Sequence, residues 1–136
     1  MTEQEVFEKL QGLIRGVLVV KPEEITMEKT LIGDLGAQSI DLLDLSFLIE
    51  DTFQITIAPN EFEAEVRKTL PGGIYEKDGL LTEEALTELR KRLPEVDQTL
   101  LKTGFRKAEL PTILTVGVFV HLIQRKIDEK KGPAHA

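Results

Sequence analysis

Asp34-Leu35-Gly36-Ala37-Gln38-Ser39-Ile40-Asp41-Leu42-Leu43-Asp44-Leu45 carries a glycine-containing loop into a helix that opens at Ser39. From Ser39 to about Phe53 there is no Gly or Pro. Ile40, Leu43 and Phe47, with Leu42, Leu45, Ile49 and Phe53, form a wide apolar face at helical spacing. A helix N-terminus presents free backbone N–H groups and the positive end of the dipole, so a phosphodiester formed on Ser39 would sit where anions are stabilised. Gly36 allows a sharp turn just before the helix, and Ala37 leaves the approach to the hydroxyl uncrowded. The plainer reading is that Ser39 is an N-cap, worth about 1 kcal/mol, and position alone favours it.

The distribution of charge alters that balance. From Thr30 through Val66 there are eight acidic residues and no Lys or Arg, whereas the other 99 residues hold 17 basic and 16 acidic ones. The net charge of −7 is therefore concentrated on the segment that contains Ser39. Solvated helix faces usually mix signs in i,i+4 pairs, and a face of one sign repels itself and points to basic partners.

Outward from this segment the chain reads as helices. Thr2 and Glu5 have the spacing of a capping box, and Val6, Leu10, Leu13, Ile14, Val17 and Leu18 extend a first helix to about Val19. A long loop follows, with Leu31, Ile32 and Leu35 as apolar anchors. Ile55-Thr56-Ile57 suggests an extended link, and Asn60 can cap a helix from Glu61 to about Leu70. Pro71-Gly72-Gly73 and Asp78-Gly79 are turn signals. Thr82 then caps a helix to about Leu93, Asp97 to Leu101 adds a short helical piece, and a last helix begins near Thr115. The tail from Lys130 to Ala136 is expected to be disordered.

Length, composition and charge agree with one soluble domain. At 136 residues, 41% of them hydrophobic and only 5% aromatic, the core must be built mainly from Leu, Ile and Val. The acidic balance argues against a nucleic-acid or anionic-membrane surface. No run approaches the length of a spanning helix, and the acidic start Met1-Thr2-Glu3-Gln4-Glu5 is unlike a signal peptide, so a cytoplasmic location is expected. With no Cys, thiol chemistry must come from a cofactor.

At Asp34-Leu35-Gly36-Ala37-Gln38-Ser39-Ile40 the sequence resembles the acyl carrier protein family, whose hallmark is Asp-Leu-Gly-x-Asp-Ser-Leu ahead of an acidic, apolar-striped helix. The likeness continues through Asp41, Asp44, Glu50, Asp51, Phe53 and Ile55-Thr56-Ile57, and returns at Thr115-Val116-Gly117; it covers roughly residues 2 to 60 and 112 to 129. The resemblance implies an all-α, four-helix bundle spanning residues 1–129. It also implies a phosphopantetheine arm transferred to Ser39 from coenzyme A by a phosphopantetheinyl transferase, with acyl groups held as thioesters on the arm. By the same resemblance, Gln38, Ile40, Asp41, Asp44, Glu50 and Asp51 face partners, namely acyl-transferring or fatty-acid synthesis enzymes with basic docking patches. The protein is then a carrier in fatty-acid or related lipid synthesis, acting as a monomer without a metal, and not a catalyst. A carrier of aminoacyl, peptidyl or polyketide units and an unmodified helical interaction module are the alternatives.

Two features depart from the family pattern. Gln38 stands where an acid usually precedes the serine. Residues from about 60 to 111 exceed what the family places before its last helix, and are expected to add about two extra helices. Outside the motif, His121 and His135 have no partner that sequence can place and read as packed or solvent-facing. The acid pairs at Glu83-Glu84 and at Glu61, Glu63 and Glu65 read as helix starts. Tyr75 reads as a local packing residue.

Overall fold

A computed structural model describes residues 1–58, 61–70, 72 and 74–131. Five α-helices occur among them: α1 (Glu3–Val17), α2 (Ser39–Phe53), α3 (Glu61–Thr69), α4 (Glu83–Arg92) and α5 (Val116–Lys131). Short 3-10 turns at Pro22–Glu24, Gln98–Leu100 and Lys107–Ile113 join them, with a small hairpin of β1 (Glu76–Lys77) and β2 (Leu80–Leu81). The mostly helical fold matches the expectation of an enlarged acyl-carrier-like bundle.

Local chemistry sets the helix starts. In the first, Glu5 N donates to Thr2 Oγ1 at 3.1 Å while Thr2 N donates to Glu5 Oε1 at 3.0 Å, closing the expected capping box. Thr82 accepts from Ala85 N at the head of α4, and Thr115 accepts from Val118 N at the head of α5. The position of Asn60 as a cap of α3 lies outside the described residues, as do Pro71 and Gly73 of the expected turn.

The bundle is formed by α1 packed against α5 and α2, with α3 and α4 packed on each other. Val6, Leu10 and Ile14 of α1 are fully enclosed and join Leu45, Ile49 and Phe53 of α2 and Val116, Val120 and Ile123 of α5 in one apolar cluster. The inserted segment contributes Tyr75, Leu81, Leu86, Leu89 and Leu101 to that cluster, so it is packed into the bundle rather than appended to it. Beyond α3 it supplies α4, the 3-10 turns at 98–100 and 107–113, and the hairpin. Asp78 and Gly79, at φ 54° and 82°, form the two-residue turn that tight hairpins require. The two short strands around that turn were not apparent from the sequence, because two residues are too few to show alternation.

The loop before α2 is fastened to the start of α5. Leu31 N donates to Leu114 O, Val116 N to Lys29 O and Gly117 N to Met27 O, at 3.2, 2.9 and 2.9 Å. A Cβ on Gly117 would stand 3.1 Å from Met27 O, so the close approach of these two backbones depends on glycine. At the other end, α5 continues through Lys130, whose Nζ donates to Gln54 O at 2.7 Å. Lys130 and Lys131 therefore belong to the helix and not to a disordered tail; residues 132–136 lie outside the described ones.

Candidate functional site

The loop from Thr30 to Gln38 is built to deliver Ser39. Thr30 N donates to Asp34 Oδ2 and Asp34 N to Thr30 Oγ1, both at 2.9 Å, a reciprocal lock across five residues. The Thr30 amide holds the Asp34 carboxyl below its ordinary range. Leu31, Leu35 and Ala37 are buried beneath the loop, and Ala37 N donates to Leu31 O at 2.9 Å. Gly36 makes the turn at φ +78°, a conformation that L side chains rarely adopt.

Ser39 is the first residue of α2, and the N-cap is Gln38, with extended backbone at φ −104° and ψ 169°. The Asp41 carboxylate accepts from Gln38 N at 2.8 Å. Ser39 is exposed, and among the described residues nothing hydrogen-bonds to its hydroxyl. Capping is thus performed by its neighbours. Of the two readings of Ser39 from position, the N-cap reading gives way: the hydroxyl is left over at the positive end of a 15-residue helix.

Of the apolar residues on α2, only part faces the core. Leu45, Ile49 and Phe53 are buried, whereas Ile40, Leu43 and Phe47 are 57%, 47% and 60% exposed. At 3.6 residues per turn these two sets lie on nearly opposite sides of the helix. The single wide apolar face read from sequence is therefore two faces. Apolar residues on both sides gave the periodicity no means of marking one as outward.

The acidic residues also separate. Asp44 and Asp51 are exposed and share the outward sector with Ile40 and Phe47. Asp41 is half-buried and engaged with Gln38 N, and Glu50 is half-buried and accepts from Ile57 N at 2.7 Å, pinning the extended link after α2. The acids of α3 are paired: Glu61 with Lys126 at 2.9 Å, Glu63 with Arg67 at 2.7 Å and Glu65 with Arg125 at 3.2 Å. The single-sign segment therefore keeps unpaired charge mainly on α2, since among the described residues none of its four acids reaches a Lys or Arg.

A family model described as "Phosphopantetheine attachment site" matches residues 8–69, ending with α3. The chain is 38% identical over 63 residues to an acyl carrier protein of Petrotoga mobilis, covering 46% of this chain and 74% of that protein. It is 43% identical over 65 residues to one of Clostridium perfringens, covering 48% and 83%. It is 40% identical over 63 residues to one of Guillardia theta, covering 46% and 78%. The chain belongs to the acyl carrier protein family. The prosthetic group of this acyl carrier protein is a covalently attached phosphopantetheine. The start of α2 fits such a group, because an unengaged hydroxyl there can form an ester and the helix end favours the resulting phosphate charge. Once bound, the group supplies a thiol on a flexible arm, which the chain's own composition lacks.

Among the described residues no helix is long and apolar enough to cross a membrane. His121, read as packed or solvent-facing, in fact bridges three parts of the fold. Its Nδ1 lies 2.5 Å from Glu95 Oε2 of the inserted segment, and its Nε2 lies 2.6 Å from Glu3 Oε1 of α1. Partial burial favours the neutral ring, but hydrogen bonds to the two carboxylates outweigh it and raise the histidine above 6.5. The partners lie 26 and 118 residues away in sequence, beyond what spacing can reveal.

Proposed function

We propose that this chain carries acyl intermediates as thioesters on a phosphopantetheine arm attached to Ser39, in fatty-acid or related lipid synthesis, and is acted on by other enzymes instead of catalysing a reaction itself. In this reading residues 1–129 serve as one carrier domain in which the segment from 60 to 111 is an insertion. The observation that carries the proposal is the exposed Ser39 hydroxyl, left without a hydrogen bond among the described residues at the first turn of α2 within the matched region.

The outward face of α2 is the natural docking surface. Ile40, Leu43 and Phe47 offer an apolar ridge for a partner, while Asp44 and Asp51 lie in the same sector and attract basic residues. Long-range attraction of this kind raises the rate of encounter more than the lifetime of the complex, which suits a carrier that visits several enzymes. Gln38 stands beside the hydroxyl and belongs to the same surface. Asp41 and Glu50 contribute to its field while holding the ends of the helix in place.

Intact mass tests the attachment. Coexpression with a phosphopantetheinyl transferase is expected to add one phosphopantetheine mass to the chain and none to Ser39→Ala. Absence of any gain with transferases of both broad and narrow specificity would overturn the carrier reading.

A further inference from the structure

Where the insertion meets the loop that leads to Ser39, the chain leaves an open groove of about 900 Å³. Val96, Phe105 and Ile113 form a buried apolar floor, and Leu100 adds an apolar side chain that is 43% exposed. Val96, Leu100 and Phe105 belong to the insertion, whereas Thr30, Gly33 and Asp34 belong to the region matched by the family model. The groove is thus a joint product of the two.

Its rim is acidic. Glu28, Asp34, Asp97 and Glu109 line the groove and are exposed, while Glu95, also in the lining, is engaged by His121. Hydrogen bonds hold three of the four exposed acids below the ordinary carboxylate range. Glu28 accepts from its own amide and from the Thr26 hydroxyl, Asp34 from the Thr30 amide, and Asp97 from the Thr99 hydroxyl and amide. Glu109 meets Arg106 only at 3.9 Å, an exposed pair of small value. Among the described residues Lys102 is the one base in the lining.

Apolar floor and acidic rim together define the occupant. Among the described residues no three acidic or histidine side chains gather closely enough to hold a metal ion, so the charge is dispersed along the groove. Nucleic acid and anionic lipid are repelled by such a rim. A basic amphipathic segment of a protein meets both demands, its aliphatic side chains covering Leu100 while its Lys or Arg heads reach the carboxylates. Asp34 stands five residues before Ser39, so the groove begins within about 18 Å of that residue. We propose that this groove is a docking surface for a partner protein, and that it takes a segment in which Lys or Arg is interspersed with aliphatic residues. No residue of α2 lines it, so it is a second contact surface, distinct from the outward face of that helix. The proposal concerns association of the chain itself and does not depend on what Ser39 carries.

Titration of the isotope-labelled full chain with a synthetic helical peptide of repeated Lys-Leu-Leu-Lys blocks tests it. The chain is used without an arm, so the result is decided separately from the mass test of Ser39. The peptide is expected to shift the backbone amide resonances of Val96, Leu100 and Phe105. A version with Glu for Lys should leave them in place, and one with Ser for Leu should shift them only weakly. Asp97→Lys with Glu109→Lys, both exposed positions, is expected to weaken binding about tenfold at low salt. Lys102→Glu is expected to strengthen it severalfold, a gain that a misfolded variant cannot mimic. Shifts confined to α2, equal shifts with spermidine alone, or unchanged affinity in both charge variants would each overturn the proposal. So would the same shifts appearing without peptide as the protein is concentrated, which would assign the groove to a second copy of the chain.

Discussion

Asp41 accepts the backbone N–H of Gln38 at 2.8 Å, so the acid two residues after Ser39 fastens the residue just before it. The serine is held between the two without being used by either. Where the family motif places an acid directly before the serine, this chain has Gln38, and the carboxylate that organises the helix start comes from inside the first turn.

Asp41 therefore has a structural task in addition to its charge. Asp41→Ala is expected to lower stability by about 1 kcal/mol, as loss of a capping interaction does, with the change read from urea denaturation midpoints. Asp41→Asn, which keeps an acceptor, should recover part of the loss. If both variants match the parent protein, the Gln38 contact contributes nothing in solution.

Charge reversal at Asp44 and Asp51 isolates docking from folding, since neither side chain is committed to a bond among the described residues. The double variant Asp44→Lys, Asp51→Lys is expected to slow association with a basic partner enzyme by about tenfold or more at low salt. Its rate should also lose most of its dependence on ionic strength. Phe47→Ala tests the apolar half of the same surface, and is expected to speed dissociation while leaving the salt dependence as it was. Unchanged rates in both variants would place the docking surface elsewhere.

The turn before the serine can be tested separately. Gly36 sits at φ +78°, and Gly36→Ala puts a Cβ into a conformation costing about 1–2 kcal/mol. No atom stands within 4 Å of that added carbon, so the cost is conformational and not a clash. Thermal denaturation measures it, and hydrogen exchange at Ala37 and Leu31 locates it, because the Ala37 amide bonds to Leu31 O across the turn.

These cases mark what could be read from sequence. The start of α2 at Ser39 was legible because a glycine loop, a polar N-terminal residue and an uninterrupted apolar run coincide there. The capping box at Thr2 and Glu5 and the Asp78-Gly79 turn were legible for the same reason, as each rests on residues within a few positions of one another. The division of α2 into a buried and an exposed face was not, since Leu45 and Phe47 are equally apolar and only the placement of α1 and α5 separates them. The Tyr75 hydroxyl, enclosed without a partner among the described residues, was hidden likewise, as was the pairing of Glu61 and Glu65 with Lys126 and Arg125 of α5. Both depend on segments distant in sequence folding onto α3, contacts that leave no periodic signal.

His121 joins the insertion to α1 through Glu95 and Glu3, and the pH dependence of that junction has a definite sign. The two carboxylates raise the histidine above 6.5, so the protonated ring is bound more tightly in the folded chain than in the unfolded one. The stabilisation is fully present below the unfolded value near 6.5 and is lost as pH rises through the higher folded value. Thermal stability is accordingly expected to fall as pH is raised from the acid side of 6.5 into the alkaline range, and His121→Gln to remove most of that slope. Because the side chain is partly exposed, screening by salt should reduce the effect. Hydrogen exchange should show the loss at Glu95 to Phe105 and at the first turn of α1, not at α2. A slope retained in His121→Gln would assign the pH dependence to other groups.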